Sequence, residues 1–166
     1  MTKQVKILLL AAVGVVAIGA ILFFNQPSGN TQTKGTVAEN IVLHADKEMY
    51  DFGTISMKNG KVKTIFEITN PTTEILTLNK LYTTCMCTEA RLSVNGASEG
   101  PFGMPGHGFI PSFEQRLEPN QTGEVEVIYD PSAHGPAGVG QIEREIILEG
   151  QGKQLAILHI KANVTP

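Results

Sequence analysis

The chain has no tryptophan, only two cysteines among 166 residues and no excess of basic residues. Two cysteines are too few for a four-thiolate zinc ribbon or a disulfide-stapled mini-domain. There is no G-x-S-x-G nucleophile elbow, no H-E-x-x-H zinc motif and no phosphate-binding glycine loop, so the common hydrolase, metalloprotease and nucleotide-binding signatures are all missing. Asp51-Phe52-Gly53 spells a kinase motif by accident, because no glycine-rich loop or catalytic-loop pattern accompanies it. From Val37 onward ten Lys/Arg face sixteen Asp/Glu. An acidic domain without a basic stripe does not neutralise phosphates, which excludes nucleic-acid binding and argues against docking on anionic lipid. Seventeen glycines and nine prolines are present instead, a composition that suits a turn-rich all-β chain.

The sequence divides into four stretches. Residues 1–6 carry Lys3 and Lys6 and form a short polar N-terminus. Residues 7–24, Ile7 to Phe24, are apolar without a charge or proline. As a helix this run would span roughly 27 Å, close to the hydrocarbon thickness of a bilayer. The lysines before it predict a single-pass plasma-membrane anchor with a cytoplasmic N-terminus and an extracytoplasmic remainder. The competing expectation is a signal peptide cleaved near Ala17-Ile18-Gly19, giving a secreted or periplasmic protein, but Ile21 to Phe24 would then form an apolar leader. No cysteine follows the run, which excludes a lipoprotein anchor. Residues 25–36 (NQPSGNTQTKGT) are small and polar and read as a flexible tether.

Residues 37–166 show period-two alternation broken by turns. The expected strands are Ile41–Ala45, Met49–Ser56, Lys61–Thr69, Glu74–Thr84, Glu124–Tyr129, Gln141–Leu148 and Gln154–Val164. Asn59-Gly60, Asn70-Pro71, Asp130-Pro131 and Gly150-Gln151-Gly152 punctuate them. About seven short strands, each with one apolar face, predict two antiparallel sheets packed as a sandwich. Arg91 to Arg116, with its Gly100-to-Gly108 run, reads as a long loop, of the kind that is more often functional or disordered than architectural.

Tyr50-Asp51-Phe52-Gly53-Thr54-Ile55, Phe66-Glu67-Ile68-Thr69-Asn70, Leu76-Thr77-Leu78 and Thr84-Cys85-Met86-Cys87-Thr88 together resemble the bacterial domain of unknown function 1573 family, and Pro119 to Asp130 resembles its later portion. The resemblance implies an immunoglobulin-like antiparallel β-sandwich related to Hydin-type binding modules, and no established activity. Met86 departs from the glycine usual between the family's cysteines, and Arg91–Arg116 is longer than members usually need.

Cys85 and Cys87 are the residues to which chemistry can be assigned. On an extended strand two thiols one residue apart project to the same side. As thiolates they suit a soft or borderline ion, Cu(I) or Zn(II), completed by Met104, His107 or His134. Export also puts them where disulfides form, and a bridge across one residue closes a small strained ring of the labile kind. A third reading leaves one cysteine in the core as a small apolar side chain. No catalytic residue is assigned. The leading function is a membrane-anchored module that binds a protein or envelope component through loops or a sheet edge, with soft-metal binding second and thiol–disulfide exchange third. His44 and His159 alternate with apolar neighbours and are expected to face solvent, and Asp51 to serve a turn.

Overall fold

A computed structural model describes residues 43–108 and 111–166. The expected anchor at 7–24, the tether at 25–36 and the start of the first expected strand lie outside the described residues. Among the described residues no helix is long and apolar enough to cross a membrane.

In chain order the strands are β1 (His44–Ala45), β2 (Met49–Ser56), β3 (Val62–Thr69), β4 (Leu76–Leu78), β5 (Lys80–Thr83), β6 (Thr88–Val94), β7 (Ala97–Phe102), β8 (Gln115–Leu117), β9 (Thr122–Tyr129), β10 (Gly140–Gly150) and β11 (Lys153–Thr165). One sheet runs β1-β3-β9-β6-β7, a second runs β2-β11-β10-β5, and β4 pairs with β8 in a small third. The two larger sheets share a single buried cluster, which makes the domain a β-sandwich. Alternation builds it. Phe66 and Ile68 of β3, Ala90, Leu92 and Val94 of β6, Val125, Val127 and Tyr129 of β9, and Ile146, Leu148, Leu158 and Ile160 of β10 and β11 all point inward. Each large aliphatic or aromatic side chain so buried stabilises the fold by about 1.5–3 kcal/mol.

The all-β expectation holds, with four corrections. The described residues contain eleven strands where about seven were expected. The sheets are not wholly antiparallel, because β2 pairs parallel with β11. Glu74–Thr84 is not one strand: Asn79 N donates to Glu149 O at 3.0 Å, and the chain passes there from the β4–β8 pair to the edge of the β10 sheet.

About half of the expected loop at Arg91–Arg116 is also strand, containing most of β6, all of β7 and part of β8. Asn95 and Gly96 take φ values of 52° and 82° and turn β6 back onto β7. Asn-Gly between alternating runs is the usual hairpin signal. The inward set of β6 (Thr88, Ala90, Leu92, Val94) was legible too, but small and polar members blurred its periodicity.

Two irregularities show how backbone constraints select residues. Gly53 lies at φ +67°, and its N donates to Asp51 Oδ1 at 2.8 Å. The turn reading of Asp51 therefore holds, and the ladder to β11 shifts register between Lys161 and Asn163. At Gly150 an added Cβ would collide with the Thr77 carbonyl, so only glycine lets β10 pass there.

Asn70 is fully buried and ties three segments together. Its Nδ2 donates to Glu74 O (2.8 Å) and Leu117 O (2.9 Å), while its Oδ1 accepts from Thr72 N (3.0 Å) and Thr72 Oγ1 (2.7 Å). An alanine would remove all four bonds, leaving Thr72 Oγ1 to donate to Glu74 O alone, at 3.0 Å. Asn70→Ala should lower unfolding free energy in chemical denaturation by about 2–4 kcal/mol; a loss under about 0.5 kcal/mol would refute this role.

Candidate functional site

Cys85-Met86-Cys87 does not continue a strand. It forms the turn by which the chain leaves β5 at the edge of one sheet and enters β6 in the other. Thr88 N donates to Cys85 O at 3.1 Å and closes a four-residue turn. Thr83 and Thr88 are fully buried. The Thr83 hydroxyl spans the turn, 3.0 Å from Cys85 O and 2.9 Å from Thr88 O. On one side Thr84 exchanges hydrogen bonds with Glu145 of β10 (3.1 and 3.0 Å); on the other, Asp130 N donates to Cys87 O at 2.8 Å. The turn is thus fixed to both sheets.

Cys85 and Cys87 are joined as a disulfide, with Cα atoms 5.3 Å apart. Both are buried, whereas the intervening Met86 is 51% exposed. Nitrogen donors surround the sulfurs. His134 Nε2 stands 3.1 Å from Cys85 Sγ, and Cys87 N donates to the same atom at 3.4 Å. Arg144 Nε donates to Cys87 Sγ at 3.3 Å, and Thr88 Oγ1 lies 3.6 Å from it. A disulfide sulfur carries no proton, so the hydrogen between His134 and Cys85 belongs to Nε2.

His134 reaches this position from the loop after β9. Asp130 Oδ1 accepts from Ser132 N (2.8 Å), Gly135 N donates to Ser132 O (2.9 Å), and a 3-10 turn, Gly135–Gly138, follows. Ser132 Oγ donates to Met57 O at 3.0 Å, fastening the loop to the 3-10 turn Met57–Asn59 beyond β2. Lys61, Met86, Cys87, Glu89, Ile128, Asp130 and Ala133 line a cleft of about 190 Å3 at this end. Leu43 lies at the opposite end, where its N donates to Leu155 O beside the Gly150–Gly152 turn. Buried Tyr129 ends β9 below the site, and burial pushes its phenol above the ordinary range despite the opposing charge of Arg144.

Of the five residues considered as metal ligands, the structure gathers Cys85, Cys87 and His134, whose candidate ligand atoms lie within 4.8 Å of one another. His107 is not in that group; it closes a separate turn by donating its N to Met104 O at 3.2 Å. Pro105 of that turn borders another cleft, of about 450 Å3, with Tyr82 and Glu149. There the Tyr82 hydroxyl donates to Glu149 Oε1 at 2.7 Å. Burial, then the Glu149 hydrogen bond, push the Tyr82 phenol up to about 12, and the same bond holds the Glu149 carboxyl below its usual range.

Sequence reasoning missed Arg144, one position in an alternating strand with nothing in its neighbours to mark it. His44 is exposed as expected. His159 is not simply turned to solvent: its Nδ1 is buried without a hydrogen bond, 3.4 Å from Glu143 Oε1. At that distance the contact is an ion pair only when the imidazole is charged.

Residues 43–101 match the model of a family described as protein of unknown function (DUF1573), so the motif resemblance holds over that segment. The Pro119–Asp130 portion lies beyond it. No curated protein matches the chain. Among solved structures, a protein of unknown function from Porphyromonas gingivalis W83 is 17% identical with a TM-score of 0.52, covering 80% of this chain and 51% of its own. The likeness is one of fold, and the chain spans about half that protein's length. A PapD-like domain of human CEP192 is 10% identical (TM-score 0.42; 78% of this chain, 89% of its own). The periplasmic chaperone SfaE is 6% identical (TM-score 0.39; 75% and 58%).

Proposed function

We propose that the protein is a membrane-tethered, extracytoplasmic β-sandwich that binds a protein or envelope component through the loop end bearing Cys85-Met86-Cys87. The sheet edges are poorly suited to accept a strand. β1 has two residues, β2 is bent at Gly53, β7 contains Pro101 and β5 has Gly103 O on its Thr83 N. The observation that carries the reading is the convergence of three connections, Met57–Lys61, Cys85–Cys87 and Asp130–Val139, around one cleft, with Met86 and Val139 exposed. Loops held by a rigid scaffold are where binding is most often built. Membrane attachment rests on the apolar run Ile7–Phe24.

Photo-crosslinking groups at Met86 and Val139 of the full chain, in its native envelope, should yield a discrete adduct that Gln151, at the opposite end, does not. Equal adducts at all three positions, or none at Met86 and Val139, would overturn the reading.

A second reading, soft-metal binding, is favoured by the closeness of Cys85, Cys87 and His134. Two thiolates and one imidazole fit Cu(I) or Zn(II), but only after the disulfide is reduced. The reduced full chain should then bind one ion with an affinity lost in Cys85→Ser, Cys87→Ser and His134→Ala. Binding that survives His134→Ala would remove His134 from the ligand set, and no binding would end the reading.

A further inference from the structure

We infer that Cys85–Cys87 is a thiol–disulfide exchange site that oxidises an exposed dithiol of a protein or peptide outside the membrane, with Cys87 as the attacked sulfur. The site rests on the loop end just assigned to binding, and three observations carry it.

First, Cys87 and not Cys85 contributes to the lining of the cleft, although both are buried, at 3% and 8% exposure. Second, the attacked sulfur has a cation beside it. Arg144 Nε lies 3.3 Å from Cys87 Sγ and favours an anionic nucleophile at that sulfur, while the cleft walls set Lys61 against Glu89 and Asp130. Third, the leaving sulfur already has donors. His134 Nε2 and Cys87 N stand 3.1 and 3.4 Å from Cys85 Sγ, where charge develops as the bond breaks.

The chemistry balances with a dithiol as co-reactant. A substrate thiolate attacks Cys87 Sγ, the Cys85–Cys87 bond breaks, and its electron pair leaves on Cys85 Sγ. The substrate's second thiolate then attacks its own sulfur in the mixed disulfide, forms the substrate disulfide and expels Cys87 as thiolate. Two electrons pass from the substrate dithiol to the chain, and the two substrate thiol protons go to solvent or to the released thiolates. Exchange with another disulfide compound restores the bond. Arg144 and His134 act through the two sulfurs and are therefore positioning residues.

The test follows reduction of the oxidised full chain by glutathione, by alkylation and intact mass, in the folded state and in urea. Activated exchange predicts that the folded chain reacts about tenfold faster than the unfolded one; a buried structural disulfide predicts the reverse, and that result overturns the proposal. Folded His134→Ala and Arg144→Gln, with melting temperature as the control for folding, should each react about tenfold more slowly. Rates within twofold of wild type in both would also overturn it. In single-cysteine variants Cys87 (Cys85→Ser) should capture glutathione disulfide faster than Cys85 (Cys87→Ser); the opposite order contradicts the assigned direction of attack. Because the probe is glutathione alone, its failure would leave the cross-linking result untouched.

Discussion

The Thr83 hydroxyl is the contact on which the geometry of the loop end depends. The chain must cross from one sheet to the other between β5 and β6, and it does so in a turn closed by Thr88 N on Cys85 O. Thr83 Oγ1 reaches both Cys85 O and Thr88 O from a fully buried position. The hydroxyl carries one proton and shares it between these two buried carbonyls, reinforcing the turn that Thr88 N closes on Cys85 O. With the turn fixed, Cys87 O meets Asp130 N, and Thr84 meets Glu145. Those two contacts bring the His134 loop and the Arg144 strand to the sulfurs.

The site is therefore a product of sheet topology. Cys85 and Cys87 are neighbours in sequence, but His134 and Arg144 arrive from separate connections. His134 was legible as one of three candidate partners, because a histidine in a Gly/Pro-rich loop is a natural ligand or donor. Nothing in the sequence preferred it to His107, since the choice depends on which loop the β9 terminus delivers to the turn. Arg144 was not legible at all. Its role follows from pairing register, with Ile146 opposite Thr83, and register is a property of two strands together.

The fold was more readable than the site. β2 was bounded correctly, and β3, β9, β10 and β11 to within about two residues at each end, because their apolar faces alternate cleanly and turns flank them. The single strand expected at Glu74–Thr84 failed at Asn79, where the chain changes sheets with no glycine or proline to mark it. The β6–β7 hairpin was hidden by glycines and prolines that suggest a loop, although Asn95-Gly96 carried the turn signal. The parallel pairing of β2 with β11 has no local signature, because it joins strands far apart in the chain.

The central claim is that His134 and Arg144 are coupled to the state of the Cys85–Cys87 pair. NMR of the full chain reads this directly through the cysteine Cβ, His134 Nε2 and Arg144 Nε resonances before and after reduction. The account predicts half-cystine Cβ shifts that become thiol shifts, with both nitrogen resonances moving in step and the Gly150–Gly152 turn unchanged. Thiol shifts from the outset, or reduction that leaves both nitrogens where they were, would contradict it.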